Sequence, residues 1–152
     1  LDKFATTGDR EAFNFPEPEI KGLDYSFSGS KTAILYFLQR ETQKNPDFVK
    51  QNLADICASV QWYLVRILLK KLKKAVKEHQ IYQIAIAGGV SANSCLRAEL
   101  QQLGVELGVE VFIPKFEYCT DNAAMIACAA HYQILENKLG DFSQAVKPRW
   151  EF

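Results

Sequence analysis

The stretch Ile81–Ala87 is largely apolar, runs straight into Gly88-Gly89, and is followed by a helical pattern that starts near Ser91. A strand that turns into a helix through paired glycines is a place to hold a nucleotide. Glycine lets the backbone approach a ligand closely, and the first turn of a helix presents N–H groups that favour an anion. The same residues also serve as a simple tight connection, so both readings stand at this point. Leu96, Leu100 and Leu103 give the following helix, from Asn93, one apolar face, and Val109–Ile113 reads as a second strand ending at Pro114. Strand, helix and strand at this spacing predict a right-handed parallel crossover. A further helix is predicted from Ala123 to about Leu135. The loops after both strands then open on one edge of the sheet, the carboxyl edge where α/β proteins bind ligands. Two strands are fewer than a self-sufficient α/β sheet uses, which points to part of something larger.

Upstream of this unit the pattern is helical. Residues 1–25 mix Gly8, Pro16, Pro18 and Gly22 with aromatics and read as an extended lead arm lying on a core, with residues 26–152 as the main body. Ala33, Ile34, Phe37 and Leu38 mark a helix over Lys31–Thr42 that Ser28 could cap, broken by Asn45-Pro46-Asp47. Apolar positions from Phe48 to about His79 keep a 3.6-residue period and predict one long amphipathic helix. Its last third places Arg66, Lys70, Lys73 and Lys77 on one face. That face is either solvated, with cations suiting the helix C-terminus, or a phosphate-binding patch.

Lys plus Arg and Asp plus Glu balance at 18 each over 152 residues, so no global field steers the chain toward nucleic acid or membrane. No apolar run reaches transmembrane length and Leu1-Asp2-Lys3 does not open a signal peptide, so a cytoplasmic setting is expected. The missing initiator Met suggests a fragment. Cys57, Cys95, Cys119 and Cys128 lack CxxC spacing and read as reduced, buried and unreactive. Asp121 and Asn122 sit where a short polar side chain either caps the last helix or points into the cleft, with Thr120 or Asp121 the expected cap. Asp121 is equally placed to point into the cleft as a metal carboxylate, which would need partner ligands. His79 and His131 have no HxxH or HxxxH spacing.

Four blocks taken together carry a resemblance. They are Tyr25-Ser26-Phe27-Ser28-Gly29-Ser30-Lys31-Thr32, Ile86-Ala87-Gly88-Gly89-Val90-Ser91-Ala92-Asn93 with Leu96-Arg97, Tyr118-Cys119-Thr120-Asp121-Asn122-Ala123-Ala124-Met125-Ile126-Ala127, and Pro148-Arg149-Trp150. In this order they resemble the TsaD family, also called the glycoprotease or O-sialoglycoprotein endopeptidase family. The chain corresponds to the C-terminal part of such a protein, somewhat under half. The resemblance implies an α/β class, the C-terminal portion of an actin-like, Hsp70-like fold of ribonuclease-H type, helix-rich with a small parallel sheet.

It further implies tRNA N6-adenosine threonylcarbamoyltransferase activity, with threonylcarbamoyl-adenylate as donor and the adenosine 3′ of the anticodon as acceptor. Gly88, Gly89 and Asn93 match the family's adenylate site, and Asp2 matches an acidic residue that contacts ribose in many members. Asp121 matches a carboxylate ligand of an iron or zinc ion whose other ligands are a histidine pair upstream of Leu1. No catalytic residue is assigned within the chain, and the chain alone is expected to be inactive. Ser30 and Ala123 depart from the family's common Leu and Gly. Expected partners are tRNA and, in bacteria, a paralogous TsaB-like subunit and a small TsaE-like ATPase. Archaeal and eukaryotic relatives sit in a kinase-containing complex, and the exposed apolar surface of a half-protein could drive dimers unrelated to biology. A non-catalytic nucleotide-binding or scaffold module of the actin-like superfamily is the alternative. A metallopeptidase is a third reading, for which no general base is found.

Overall fold

The computed structural model describes residues 1–141, 143 and 145, so Pro148-Arg149-Trp150 lies outside the described residues. The elements in order are α1 (Asp2–Ala5), α2 (Phe27–Lys44), α3 (Phe48–Gln51), α4 (Leu53–His79), β1 (Gln83–Ala85), α5 (Ser94–Leu107), β2 (Glu110–Phe112) and α6 (Ala123–Leu135). Single turns of 3-10 helix at Gly89–Ala92 and Phe116–Tyr118 precede α5 and α6.

α4 is the axis of the molecule. Its 27 residues span about 40 Å, long enough to carry two separate cores. On its first half Phe15, Ile56, Val60, Tyr63 and Ile67 are buried, with Phe13, Phe37 and Phe48 packed around them. The rings of Phe13 and Phe15 meet Phe37 at 5.2 Å between centroids, within the range of favourable aromatic pairs. On its second half Val76 meets Ile84 of β1 and Leu100 of α5. Ile56 through Gln61 are all buried, so the helix is enclosed on every side there rather than amphipathic.

The long helix predicted over residues 48–79 is in fact two. Asn52 leaves helical geometry at φ −116° and ψ 21°, and its Nδ2 donates to Phe48 O at 2.8 Å, ending α3 before α4 begins. This is the behaviour expected of an Asn that competes for backbone partners. Ser26, not Ser28, caps α2, accepting from Gly29 N at 3.4 Å, and Ser28 is inside the helix. β1 is shorter than the predicted Ile81–Ala87 because pairing covers only Gln83↔Glu110, Ile84↔Val111 and Ala85↔Phe112, in parallel.

The lead runs along α4. Asp9 N donates to Asp55 Oδ1 at 2.8 Å, and Ser59 Oγ accepts from Phe13 N and donates to Asp9 O, both at 3.1 Å. Gly8 lies so close that a Cβ would fall 2.1 Å from Ala54 O. Tyr63 has one proton, which goes to Pro16 O at 2.7 Å. Its oxygen lies 3.2 Å from the Ser30 Oγ, which gives that buried hydroxyl a polar neighbour. The basic face of α4 is drawn into the same contacts. Lys70 donates to Glu17 at 2.7 Å, Lys73 pairs with Glu106, and Lys71 donates to Ile20 O and Gly22 O. Arg66 Nε lies 2.9 Å from Glu17 Oε1 without the alignment of a hydrogen bond. Arg66 and Lys70 pair with Glu17 of the lead and Lys73 pairs with Glu106 of α5, and the three cations line one open groove beside α4.

α6 has the bounds its sequence predicts, yet none of its residues is buried. A helix with no charged residue and with Ile126 71% and Leu135 65% exposed has no partner among the described residues.

Candidate functional site

Parallel pairing sends the chain out of both strands at the same edge. After β1 the chain passes through Gly88, whose φ of 79° and ψ of 175° are accessible essentially to glycine alone. Space around Gly89 is open, with nothing within 4 Å of where a Cβ would stand. Ser91 closes the turn by donating its N–H and hydroxyl to Gly88 O at 2.9 and 2.7 Å.

Asn93 is the N-cap of α5. Its Oδ1 accepts from Leu96 N at 2.9 Å while its Nδ2 donates to Gln61 Oε1 at 3.0 Å. Those two bonds orient the amide and leave one N–H and one lone pair for a ligand. Asp2 lies 92 positions from Ser94 in the chain, yet it accepts from Ser94 Oγ at 2.6 Å and from Ser94 N at 3.0 Å. The expectation that the first N–H groups of α5 stand free for an anion is therefore corrected. Two of them are taken, by the side chains of Asp2 and Asn93, and the position favoured by the helix dipole already holds a carboxylate. A phosphate at this edge is left the Gly88–Gly89 side, while the Asp2 oxygens suit hydroxyl donors.

Gln61 is the residue that sequence reasoning missed. It is 7% exposed in α4, and an amide standing among mostly apolar residues was its only sequence signal. Beside it, burial pushes the Cys95 thiol up, with Glu99 adding to the effect, as expected of an unreactive cysteine. Cys57 and Cys119 are buried and all four thiols are free, but Cys128 is exposed, contrary to the uniform burial expected.

The second loop leaves β2 through Pro114 and turns at Phe116–Tyr118. The cap of α6 is Asn122, whose Oδ1 accepts from Met125 N at 3.1 Å, rather than Thr120 or Asp121. Relieved of capping, Asp121 is exposed and, among the described residues, meets neither a hydrogen-bond donor nor a cation. Its hard oxygen donors fit one position of an iron or zinc site, and no group of three His, Cys, Asp and Glu gathers around it among the described residues.

Two carboxylates near the lead have a pH signature. Burial alone would raise Asp2, but the Ser94 hydroxyl and amide, Gln61 and the terminal ammonium outweigh it and hold the carboxyl below its ordinary value. The Lys70 hydrogen bond, opposed by burial and aided by Arg66, does the same for Glu17. A folded pKa below the unfolded one adds stability that is complete above the unfolded value and is lost as pH falls through the folded one. The urea midpoint is therefore expected to be level near neutrality and to fall below about pH 5, less steeply in Glu17→Gln. A midpoint that stays level in acid would contradict these pairings.

Two parallel strands, each leading through a 3-10 turn into a capped helix at one edge, define an α/β ligand-edge unit. Residues 1–128 match the family described as TsaD, tRNA N6-adenosine threonylcarbamoyltransferase. A curated protein of that name from Christiangramia forsetii is 54% identical over the whole chain, which spans 45% of its length. Those from Cytophaga hutchinsonii and Riemerella anatipestifer are 50% and 48% identical over 98% and 99% of the chain, or 43% and 44% of theirs. The chain belongs to the TsaD family and spans somewhat under half the length of these relatives.

Proposed function

We propose that this chain is the C-terminal part of a tRNA N6-adenosine threonylcarbamoyltransferase, an actin-like lobe of ribonuclease-H type that is incomplete without the remainder of the protein. The observation that carries the reading is the convergence of Asp2 and Asn93 on the head of α5, beside Gly88. Those are the positions that match the family's adenylate site. In this reading the Gly88–Gly89 loop faces phosphate, the free N–H of Asn93 Nδ2 donates to the adenylate, and Asp2 accepts from ribose hydroxyls. Asp2 repels a phosphate from the α5 N-terminus and so helps set which end of the nucleotide lies there.

The reaction joins N6 of the adenosine 3′ of the anticodon to the carbamoyl carbon of threonylcarbamoyl-adenylate. The bond from that carbon to the phosphate oxygen breaks, AMP leaves, and N6 gives up a proton. Asp121 is the chain's own contribution to an iron or zinc site completed by a histidine pair elsewhere in the protein. A metal there supplies Lewis acidity to the donor's oxygens. No helix among the described residues is long and apolar enough to cross a membrane, which fits a cytoplasmic enzyme working on tRNA. The tRNA, TsaB-like and TsaE-like partners remain part of this proposal.

The test is threonylcarbamoyl-adenosine formation and adenine-nucleotide binding by the full-length protein with its partners, comparing wild type with Asn93→Ser. Serine keeps the cap but removes the donor to the buried Gln61 Oε1, so a stability loss of about 1–3 kcal/mol is expected and nucleotide binding is read where the variant is folded. Loss of the Nδ2 donor is expected to weaken nucleotide binding roughly tenfold, the value of one hydrogen bond of about 1.4 kcal/mol. Unchanged nucleotide affinity would remove Asn93 from the site. Absence of threonylcarbamoyl-adenosine from the wild-type reaction would favour the non-catalytic module.

A further inference from the structure

We infer that Arg97 is a positioning residue that locks the two strand-end loops to each other and so sets where Asp121 stands relative to Asn93. The inference rests on the reading above, in which one loop carries the nucleotide and the other the metal ligand. Arg97 lies in the first turn of α5, its N–H donating to Asn93 O at 3.1 Å, so its backbone is fixed to the nucleotide loop. Its side chain then spans both loops. Nη1 donates to Ser91 O at 2.8 Å, in the turn that follows Gly88–Gly89, and Nη2 donates to Pro114 O at 2.6 Å, at the exit of β2. Nη1 also reaches Cys119 Sγ at 3.6 Å, and the guanidinium carbon lies 5.0 Å from the centre of the Phe116 ring.

The second loop is therefore wrapped around one cation. Cys119, 1% exposed, donates its thiol to Lys115 O at 3.4 Å, so the segment from Pro114 to Cys119 closes on itself with Arg97 at its centre. Asp121 follows two residues later. The planar guanidinium is what the arrangement requires, because two carbonyls from different loops must be met at once by donors held in a rigid fork, with an aromatic ring against the same group. A lysine in the same place keeps the charge and reaches one carbonyl, but it cannot hold both.

The experiment uses the full-length protein with its partners and compares wild type, Arg97→Lys, Asp121→Ala and the double variant. Three quantities are read: turnover to threonylcarbamoyl-adenosine, adenine-nucleotide affinity, and hydrogen exchange of amides 115–122. In Arg97→Lys the nucleotide affinity is expected to stay within about twofold, since Asn93 and Gly88 keep their own contacts. Turnover is expected to fall on the order of 10–100-fold, the effect of displacing a reacting group by about 1 Å. Exchange of amides 115–122 is expected to quicken about tenfold, equivalent to one lost hydrogen bond of about 1.4 kcal/mol. In the Asp121→Ala background, where turnover is already lost, the Arg97 substitution is expected to quicken exchange of amides 115–122 as much as it does in the wild-type background, because the lock does not depend on the group it positions.

Wild-type turnover and exchange in Arg97→Lys would overturn the inference. So would a parallel loss of nucleotide affinity, turnover and global stability, which marks a merely structural residue. Should Asp121→Ala retain full turnover, the transferase assignment of Asp121 fails, while the exchange of amides 115–122 still decides whether Arg97 locks the loops. If Arg97→Lys does not fold, Phe116→Leu takes its place. That ring is 64% exposed, so its loss loosens the same lock without opening a core, and it is judged by the same three readouts.

Discussion

Asp121→Ala in the full-length protein is expected to lower metal affinity by more than about 100-fold, beyond what loss of an outer-shell partner produces, and to remove threonylcarbamoyl-adenosine formation with it. The size of the effect follows from what Asp121 does not do. Asn122 carries the cap of α6, and among the described residues the Asp121 carboxylate has no hydrogen-bond donor and no cation beside it. Its removal costs the fold little, so the substitution reads ligation rather than stability. The isolated 152-residue chain brings the same carboxylate without companions, since no three metal-binding side chains gather among the described residues. It is expected to retain no stoichiometric metal after dialysis and to be inactive. Elemental analysis of three samples, wild-type full-length, Asp121→Ala and the isolated chain, checks both halves of the expectation. Metal bound equally by the first two would take Asp121 out of the site, and metal retained by the third would mean that the chain builds a site without the upstream histidines.

The parts of this molecule that were legible in the sequence are those set by local chemistry. α6 runs over the predicted Ala123–Leu135, and Leu96, Leu100 and Leu103 face inward from α5, because periodicity records which face is buried. The break at Asn52 was not legible, since the apolar period continues through it and only the side chain's choice of Phe48 O ends α3. Nor was the choice of Ser26 over Ser28, or of Asn122 over Thr120 and Asp121. Several neighbouring residues have capping chemistry, and backbone geometry selects one of them. At the first strand-end loop, Gly88 makes the turn and Asn93 caps α5. Their partners came from far away in the chain. Asp2 bonds Ser94 from 92 positions away, with Gly8 lying against the backbone of α4, and Gln61 bonds Asn93 from 32 positions away. Tertiary contacts of this kind leave no periodic trace.

Leu100→Ala is expected to cost about 2–5 kcal/mol, the range for emptying a fully buried leucine site. Leu100 is 0% exposed and packs with Val76 of α4 and Ile84 of β1, so three elements lose contacts at once. Collapse into the space is resisted on its far side. Gly104 already brings α5 so close to β2 that a Cβ there would stand 2.2 Å from Val111 Cγ2. With only two short strands to hold, a loss of this size is a large part of the roughly 5–15 kcal/mol that keeps a typical domain folded. Urea unfolding of the isolated chain checks it, with Ile134→Ala as the control. Ile134 is 57% exposed on α6, and its loss is expected to shift stability by less than about 0.5 kcal/mol. Equal effects of the two substitutions would mean that the α4–α5–β1 contact is not what holds the strand ends in place. An effect confined to Leu100 ties the site to its core. The helix that carries Asn93 and Arg97 is the one Leu100 anchors, so the spacing of the two loops is set by hydrophobic packing about one turn behind Arg97 and two behind Asn93.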